Sequence, residues 1–533
     1  MRLLVILLAS FCILSFSVNG QTSREDLELD ANELMATGHT AYCKRALDIF
    51  LSLDKRVKGR NPSYKYKAAI CYLNTNINKP KAVEFLEAIN EEDRGQFKAS
   101  YHYYLGKAYH YAYKFDDATS QFNEFLGKAK KKDERKPEVL RLIEMCRVAK
   151  SMVSNPIAIT TRSIGDQVNS IGPEYTPVIS ADESVLIFTS RREGNIGGKM
   201  DLFGNYTARE GEFYEDIYVS YKREDGTWDL PINLGEPINT KGHDAVIGLS
   251  PDGQTLFIYK SDSVKWGNIF ACTLEGREWS RPVKLPSPIN TKNWEGSCSI
   301  NPDGNELFFA SNRPGGFGGK DIYMIRKLPD GTWAEPFNLG PGVNTKEDED
   351  APYIHVDGKT LYFSSKGHNS MGGFDIFHSK VEDGKATSPQ NLGYPVNTTE
   401  DDVFFALSAD GKRGYYSCTK EGGLGEQDLY VIDMPKTSAA PDAVTLLKGI
   451  LKTTEGDVAS NARIIVTDDT SGELVGVFKP NAVTGKYLIV IPQGKKYTLK
   501  IESSGYQSLT ENISTELKKG YDELKKNYSL EKL

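Results

Sequence analysis

Two residues recur at nearly constant spacing through the middle of this chain, and this repeat constrains its fold more than any other feature. An Asn preceded by Val or Ile occurs at intervals of 70, 51, 54 and 53 residues, at Asn169, Asn239, Asn290, Asn344 and Asn397. An Asp recurs with the same intervals, at Asp182, Asp252, Asp303, Asp357 and Asp410. A period of about 50 residues indicates an array of equal structural units.

The complete units each contain four segments of strand length. Four of the five recurring Asp residues precede Gly, which is a turn signal between two strands. In the third unit, strand-like segments follow at residues 307–310 and 321–323, and a fourth segment runs through residues 333–336. Four short strands per unit are typical of a propeller blade. We therefore predict an all-β propeller over residues 155–436, with five blades and six as the alternative.

The two ends of the array predict how the ring closes. The fifth unit stops after residues 429–432 without a fourth strand, whereas an apolar segment at residues 157–160 precedes the first unit. The N-terminal segment is therefore expected to complete the last blade and to leave no free sheet edge. The long first interval places an insertion near residues 194–215, a candidate contact loop.

The repeated motifs also resemble a known family. The residues Ser250-Pro251-Asp252-Gly253 and the segment from Ser311 to Tyr323 are similar to the WD40-like PD40 repeat of TolB-type proteins. The resemblance covers about 280 residues and implies a β-propeller fold.

The N-terminus predicts export. Arg2 is followed by an apolar stretch over residues 3–18 and then by polar residues, so residues 1–20 have the pattern of a secretory signal peptide. A lipid anchor at Cys12 is an alternative, although Phe11 before it is bulkier than lipoprotein signals allow. The mature chain is expected in the periplasm without a transmembrane segment. Its scattered cysteines are expected to be core residues, with a Cys43–Cys71 disulfide as the alternative.

Residues 24–153 have a helical pattern with a period of 36 residues. Ala46, Ala82 and Ala118 are each followed by large apolar residues at +4 and +7. The segment from Tyr104 to Tyr109 resembles the tetratricopeptide repeat, which implies a solenoid with a concave groove. Six residues are expected to face this groove and bind a partner, or else to pack between helices: Lys67, Asn74, Tyr103, Lys107, His110 and Tyr111.

A smaller β-domain is predicted beyond a linker at residues 437–443. Residues 444–517 alternate in strand-like fashion. The residues Thr484-Gly485-Lys486-Tyr487 and Pro492-Gln493-Gly494 resemble the carboxypeptidase regulatory-like domain, which implies a transthyretin-like β-sandwich without catalytic residues. Residues 518–533 are expected to form a charged helix or tail.

The sequence gives little support for catalysis. No nucleophile elbow, zinc-binding His motif, phosphate loop or dinucleotide fingerprint is present, so no catalytic, cofactor or metal site is expected. Acidic clusters at residues 347–350 and 400–402 occupy equivalent places in two units. Asp348 and Asp350 are the candidates for a cation or basic-peptide site at the ring mouth, and solvated loop charge is the alternative. A net charge of -7 argues against nucleic acid as a partner.

The order of modules resembles the PorE-like periplasmic components of the type IX secretion apparatus of Bacteroidota. This resemblance implies a non-enzymatic scaffold associated with the outer membrane, with protein partners in secretion or gliding. The family carries a further OmpA-like, peptidoglycan-binding domain, and this sequence stops where that domain would begin, so peptidoglycan contact is doubtful. The alternative functions are a propeller that binds a peptide or carbohydrate, and a propeller hydrolase, for which no nucleophile and base are found.

Overall fold

A computed structural model describes most of the chain beyond residue 22. The described ranges are residues 23–38, 40–75, 77–198, 213–261, 267–420, 422–424, 427–435, 441–518 and 521–533. The chain divides into two compact units, Met1–Leu140 and Arg141–Leu533. The predicted signal peptide, most of the insertion and most of the linker lie outside the described residues.

The N-terminal region is helical, as the sequence predicts. Its helices are α1 (Arg24–Ala36), α2 (Thr40–Arg56), α3 (Pro62–Leu73), α4 (Ala82–Glu87), α5 (Glu91–Arg94), α6 (Ala99–Tyr111), α7 (Phe115–Lys128) and α8 (Lys136–Ser154). Local sequence sets several helix starts. Asn61 caps α3 by accepting a hydrogen bond from the Ser63 N–H, and Pro62 occupies the first turn, where its missing N–H costs nothing.

The 36-residue period marks the packed faces of these helices. The residues that carry it are all buried: Ala46, Phe50, Leu53, Ala82, Leu86, Ile89, Ala118, Phe122 and Phe125. Gly106 shows why a small residue is needed between α6 and α7, because a Cβ there would lie 2.5 Å from the Phe122 ring. The periodic residues therefore bring consecutive helices into contact.

Five antiparallel sheets follow in the second unit. Their strands are β1 (Thr160–Ser163), β2 (Glu174–Ile179), β3 (Val185–Ser190), β4 (Asp216–Tyr221), β5 (Ile232–Asn233), β6 (His243–Leu249), β7 (Thr255–Ser261), β8 (Asn268–Glu275), β9 (Glu278–Trp279), β10 (Val283–Lys284), β11 (Glu295–Ile300), β12 (Glu306–Ser311), β13 (Asp321–Arg326), β14 (Phe337–Asn338), β15 (Glu349–Ile354), β16 (Thr360–Ser365), β17 (Asp375–Glu382), β18 (Lys385–Ala386), β19 (Gln390–Asn391), β20 (Val403–Leu407), β21 (Arg413–Cys418) and β22 (Asp428–Asp433). The sheets begin with β2, β6, β11, β15 and β20, and we number them one to five in that order.

The first strands of the five sheets contact one another in cyclic order. β2 contacts β6, β6 contacts β11, and so on to β20, which contacts β2 again. The predicted closure is confirmed, because β1 pairs antiparallel with β22 at the edge of the fifth sheet. The pairing begins at Thr160, so the strand lies three residues later than the sequence suggests. This ring of sheets is a β-propeller.

The recurring Asn residues hold neighbouring sheets together. Each Asn side chain accepts a hydrogen bond from a backbone N–H in the third strand of the preceding sheet and donates to the C=O of the same residue. The partners are Leu429 for Asn169, Ile217 for Asn239, Ile269 for Asn290, Ile322 for Asn344 and Ile376 for Asn397. An amide side chain supplies both an acceptor and donors, so it can bind the backbone N–H and C=O of one strand residue at once. The repeat therefore encodes contacts between sheets.

The first repeat departs from the Asp-Gly turn because it helps to close the ring. Glu183 stands where the other units have Gly, and it has a φ of 53°. Its carboxylate accepts hydrogen bonds from Arg413, with Nε 2.9 Å from Oε1, and from the Tyr415 hydroxyl at 2.7 Å. Both partners lie on β21 of the fifth sheet. The unfavourable backbone conformation accompanies an ion pair to the fifth sheet that a glycine at this position could not form.

Two further sheets form the C-terminal β-domain. Their strands are β23 (Val444–Thr453), β24 (Arg463–Asp468), β25 (Leu474–Phe478), β26 (Lys486–Pro492), β27 (Lys496–Glu502), β28 (Leu509–Ser514), β29 (Asp522–Lys525) and β30 (Tyr528–Leu530). One sheet has the order β26-β23-β29, with β30 also on β23, and the other has the order β25-β24-β27-β28. The two sheets share one apolar core, to which Leu447 and Ile489 contribute from one side and Val466 and Leu499 from the other.

The prediction of a charged helix or tail at residues 518–533 is wrong. β29 and β30 pair in parallel with β23, and Tyr528 and Leu530 are buried in the domain core. Charged residues obscure the two-residue alternation of Leu524, Tyr528 and Leu530 in the sequence. The domain thus extends beyond residue 517.

The C-terminal β-domain packs against the Asp-containing turns of the propeller. A shared apolar cluster joins the residues before three recurring Asp residues to the outer face of the β23 sheet: Ala181, Val356, Ala409, Val444, Leu446 and Val490. Lys380 and the backbone N–H of Asp442 both bind the Asp357 carboxylate. We call the propeller side that carries these turns the turn face. This side is therefore partly covered by the chain itself.

Two smaller expectations concern cysteines and membranes. Cys43 and Cys71 are buried, free thiols, so the alternative of a disulfide is not realised in the structure. Among the described residues no helix has the length and apolar character needed to cross a membrane.

Candidate interaction sites

Lys67, the predicted groove residue within α3, is held by an ion pair with α1. Lys67 Nζ lies 3.2 Å from Glu28 Oε1, and the Tyr64 hydroxyl donates to the other Glu28 oxygen at 2.8 Å. The Tyr64 bond is the strongest influence on Glu28 and lowers the pKa of its carboxyl, with Lys67 adding to the effect. Asn74 lies exposed just beyond the end of α3. Of these two predicted residues, only Asn74 presents its side chain freely to solvent.

The predicted groove residues of α6 cluster around Glu138 of α8. The Tyr103 hydroxyl donates to Glu138 Oε1 at 2.7 Å, and Lys107 Nζ lies 3.7 Å from the same oxygen. Burial lowers the pKa of Lys107 even though Glu138 opposes that shift. The structure therefore brings Tyr103 and Lys107 together, but as a pair that joins α6 to α8.

Two predicted anchors are buried, and this corrects the expectation that they face a groove. Tyr103 is 6% exposed and His110 is 3% exposed. The His110 ring lies edge-on to Phe115, at 5.8 Å between centroids, where α7 packs on α6. Tyr111 is half-buried beneath Lys79, whose Nζ lies 4.6 Å from its ring centre. Apolar packing of consecutive helices explains why aromatic residues in this position turn inward.

Asp348 and Asp350 do lie near the ring axis, and both are neutralised by lysines. Asp350 binds Lys320 at 2.8 Å and accepts a hydrogen bond from the Ser297 hydroxyl at 2.5 Å. Asp348 binds Lys366 at 3.2 Å and accepts the Lys320 backbone N–H at 3.1 Å. Within the described ranges, no group of three His, Cys, Asp or Glu residues is placed to hold a metal ion.

The axis itself is nearly filled. The first strands leave a cavity of about 40 Å³, lined among others by Val178, Tyr353 and Phe405. That volume holds about one water molecule. This cavity is too small for a peptide or carbohydrate ligand.

A recurring buried acid, which sequence reasoning missed, stands at or next to the start of every first strand. It follows each recurring Asn by five residues and accepts the backbone N–H of the residue four positions before it, at Glu174, Asp244, Glu295, Glu349 and Asp402. All five acids are fully buried. The constant distance from the Asn could have revealed it, but the mixture of Glu and Asp and the charge cluster around Glu349 concealed the pattern.

Three of the five buried acids have a cation and two do not. Arg192 lies 3.0 Å from Glu174, Lys260 lies 2.5 Å from Asp244, and Arg313 lies 3.4 Å from Glu295. For Glu349 and Asp402 no ion pair is formed with the described residues. Burial raises the pKa of Glu349 to about 7 and raises that of Asp402 well above its usual value.

A histidine replaces the arginine in the fourth sheet. Arg192 and Arg313 each also donate to the carbonyl before a recurring Asn, Val168 at 2.7 Å and Ile289 at 2.9 Å. In the fourth sheet the equivalent Val343 carbonyl accepts from His368 Nε2 at 2.8 Å. Burial lowers the pKa of His368, which favours its neutral form, so it supplies no charge to Glu349.

An ionic cluster surrounds Glu215, where the predicted insertion rejoins the sheet just before β4. Arg191 Nε donates to its carboxylate at 2.9 Å, the Tyr175 hydroxyl donates at 3.0 Å, and His243 binds its other oxygen. Burial opposes ionisation, but the His243 and Arg191 contacts outweigh it and lower the pKa of Glu215 to about 2. Residues 199–212 of the insertion lie outside the described residues, so its role as a contact loop stays a prediction.

These observations define a β-propeller protein with a helical N-terminal region. No family model and no curated protein matches the sequence. Solved structures do match: TolB from Acinetobacter baumannii is 14% identical, with 57% of this chain and 62% of that chain covered and a TM-score of 0.27. The match thus spans less than two thirds of that TolB chain.

Two enzymes are similar at the same level. A gluconolactonase from Xanthomonas campestris is 11% identical, with 52% of this chain and 90% of that chain covered and a TM-score of 0.28. An alpha-L-arabinofuranosidase from Lactobacillus brevis is 12% identical, with 51% and 93% covered and a TM-score of 0.35. The propeller assignment rests on the strand pairing and the cyclic contacts described above.

Proposed function

We propose that this chain is a non-enzymatic interaction scaffold of the periplasm. In this proposal the five sheets are the blades of a five-bladed PD40-like propeller, and residues 24–153 are tetratricopeptide-like repeats. The C-terminal β-domain is a carboxypeptidase regulatory-like sandwich. Each module type provides surfaces for partners, and none of these folds by itself implies a reaction.

The observation that carries the proposal is how the propeller uses its polar residues. The five recurring Asn residues, the five buried acids, Asp348 and Asp350 all bind other groups of the ring. A catalytic site needs a nucleophile and a base that reach a substrate together. Polar groups that hold sheets in place instead support a rigid platform on which partners assemble.

The partners are proposed to be proteins of the outer-membrane secretion or gliding machinery. This part of the proposal rests on the order of modules, which resembles PorE-like components. The turn face is partly covered by the C-terminal β-domain, and Arg141 donates to the carbonyls of residues 366–368 on another loop of the propeller. The propeller surface outside these contacts and the helical region are therefore proposed for partners. Asn74 is the groove residue that remains exposed.

Crosslinking in cells tests this proposal. The tagged full chain is crosslinked and purified, and the recovered proteins are identified by mass spectrometry. We expect outer-membrane secretion components, with recovery reduced several-fold by Asn74→Glu. Asn123→Glu is the matched control, because Asn123 is an exposed residue of α7 outside the predicted groove. Recovery of no envelope protein would contradict the scaffold.

Sedimentation with purified peptidoglycan tests how the chain is anchored. The proposal expects the purified full chain to stay in the supernatant, because its attachment to the envelope is through proteins. Co-sedimentation with bare peptidoglycan would mean direct anchoring and would contradict attachment through partners alone.

A second candidate function is binding of a peptide or carbohydrate by the propeller. The Glu215 cluster favours it, since Arg191, Tyr175 and His243 place several hydrogen-bonding groups at one point beside the insertion. Binding to glycan and peptide panels is measured for the full chain and for Glu215→Gln, with Glu306→Gln as the control. Loss of ligand binding in Glu215→Gln but not in Glu306→Gln would favour this function over the scaffold. Ligand binding that Glu215→Gln leaves unchanged would exclude the Glu215 cluster as the binding site.

A further inference from the structure

A large cleft separates the C-terminal β-domain from the turns of the first two sheets. Its volume is about 830 Å³, within the range of small-molecule sites. Contacts across it fix its width: Gln254 donates to the Lys479 carbonyl at 2.9 Å, and Asn481 donates to the Leu274 and Gly276 carbonyls at 3.3 Å. We call this space the interdomain cleft. It is a formed cavity with walls from two sheets of the propeller and one of the β-domain.

The walls of the interdomain cleft are mainly apolar. Val185 and Leu274 line the propeller side, and Ile450 and Leu488 line the side of the β-domain. Tyr221 adds an aromatic ring that is 46% exposed. Apolar walls with a few converging polar groups are typical of sites that bind small molecules.

Two of the three lysines and the carboxylates in the cleft already have partners, and one of these lysines, Lys525, lies 3.9 Å from Glu523. Lys448 lies 3.6 Å from Asp182 and also binds Glu523. The Asp252 carboxylate accepts hydrogen bonds from the Ser250 hydroxyl and the Gln254 N–H, and burial raises its pKa. These groups leave little negative charge for a cationic ligand.

Two cations of the cleft have no such partner. Arg277 and Lys486 both line it, both are exposed, and neither forms an ion pair with a described acid. Hydrogen bonds of Asn481 connect the segment that carries Arg277 to the segment that carries Lys486. The carbonyl of Gly276, next to Arg277, binds the Asn481 side chain, and the Asn481 backbone N–H binds the Lys486 carbonyl at 2.7 Å.

We propose that the interdomain cleft binds a small molecule that has an anionic group, a carboxylate or a phosphate, on an apolar body. Arg277 and Lys486 bind the anionic group, and Val185, Leu274, Ile450 and Leu488 enclose the apolar part. A guanidinium and an ammonium together provide charge-assisted hydrogen bonds to either kind of oxyanion. This site is independent of the scaffold role, because it lies on the covered side of the propeller.

The probe 1-anilinonaphthalene-8-sulfonate tests the site, since it joins an anionic sulfonate to an apolar body. Fluorescence titration of the full chain is expected to show one saturable site. The double variant Arg277→Gln, Lys486→Gln is expected to weaken binding about tenfold, a loss of about 1.4 kcal/mol. Lys452→Gln is the matched control, because Lys452 is an exposed lysine on the same strand as Lys448 and Ile450 but does not line the cleft. No saturable binding, or equal binding by the double variant, would overturn the proposal.

Displacement of the bound probe distinguishes the two sources of negative charge. Dodecanoate and dodecyl phosphate are each titrated against the complex, with dodecanol as the neutral control. Stronger displacement by either anion than by dodecanol supports the site and identifies its preferred headgroup. Equal displacement by all three would mean that the cations take no part, which would overturn the proposal.

Discussion

The junction that closes the ring differs from the junction between the third and fourth sheets. Both have the same Asn bond to the preceding sheet, from Asn169 and from Asn344, and both have a buried acid, Glu174 or Glu349. The strands of the third sheet come from one continuous segment, whereas β1 of the fifth sheet precedes the first sheet in the chain and is held to β22 only by non-covalent contacts. The comparison isolates what closure requires.

The junction that closes the ring has additional contacts, namely an extra strand and two ion pairs. β1 adds a strand to the fifth sheet, Glu183 binds Arg413 and Tyr415, and Arg192 binds Glu174. At the junction between the third and fourth sheets a neutral His368 replaces the arginine. A side chain larger than that of glycine does not fit at Gly367, because a Cβ there would collide with Thr345. The Arg192–Glu174 pair repeats as Arg313–Glu295 in the third sheet, so the added strand β1 and the Glu183 contacts are what set the closing junction apart.

The largest expected effect is at Arg192. Arg192→Gln leaves the fully buried Glu174 without its cation, which is expected to lower the free energy of unfolding by about 3 kcal/mol. The counterpart His368→Phe removes one hydrogen bond to Val343 and is expected to cost about 1 kcal/mol. Urea unfolding followed by tryptophan fluorescence measures both, since all five Trp lie between residues 228 and 333. Equal losses would refute the contrast between the two junctions.

The pH dependence of stability sharpens the same comparison. The pKa of Glu349 is about 7 in the folded chain, above its ordinary value of 4.5, so the folded state holds the proton more tightly. The associated stabilisation is present below pH 4.5 and is lost as the pH rises to about 7, by roughly 3 kcal/mol.

Glu349→Gln is expected to remove this part of the pH dependence. The slope of unfolding free energy between pH 5 and 8 is compared for the two proteins, because the amide has one acceptor fewer and alters absolute stability. Asp375, whose pKa burial also raises to about 7, keeps contributing in both. An unchanged slope in Glu349→Gln would show that Glu349 is ionised throughout this range.

Removing the Asn side chain at each junction tests whether the missing chain connection between β22 and β1 makes the closing junction easier to open. Asn169→Ala and Asn344→Ala each leave one third-strand N–H, that of Leu429 or Ile322, without its acceptor and are expected to cost about 2 kcal/mol. Asn169→Ala should also speed amide hydrogen exchange in β1, β2 and β22, since the first and fifth sheets can separate there. The same pattern of exchange in both variants would mean that the closing junction behaves like any other.

The smallest expected effect is at Glu183. Glu183→Gln keeps the shape of the side chain but loses the charge that pairs with Arg413, at a cost of about 1 kcal/mol. The control Glu306→Gln, whose partner Arg326 is half exposed, is expected to cost less than about 0.5 kcal/mol. A larger loss at Glu306 would place the important ion pairs outside the closing junction.

Repetition made much of the fold predictable. The Asn and Asp intervals predicted antiparallel sheets and the pairing of the N-terminal strand, and the 36-residue period predicted which helix faces are buried. The number of blades, the tetratricopeptide class and the sandwich class stay predictions.

The local sequence pattern gave wrong predictions where tertiary contacts determine whether a residue is buried or paired. Tyr103 and His110 have the composition of a binding surface, but packing of α6 against its neighbours buries them. Residues 522–530 look like a charged tail because their strand pairing with β23 depends on a partner some 75 residues away. The interdomain cleft and the unpaired Arg277 and Lys486 arise only when two domains meet, so no single segment indicates them.

The central claim is that the chain closes its own propeller and so provides a rigid platform. Hydrogen exchange of the unmodified full chain, read by mass spectrometry at β1 and β22, tests it most directly. We expect Thr160–Ser163 to be protected as strongly as Asp428–Asp433, because paired strands open together. Rapid exchange of Thr160–Ser163, at the rate of an unpaired segment, would contradict the closure and with it the rigid scaffold.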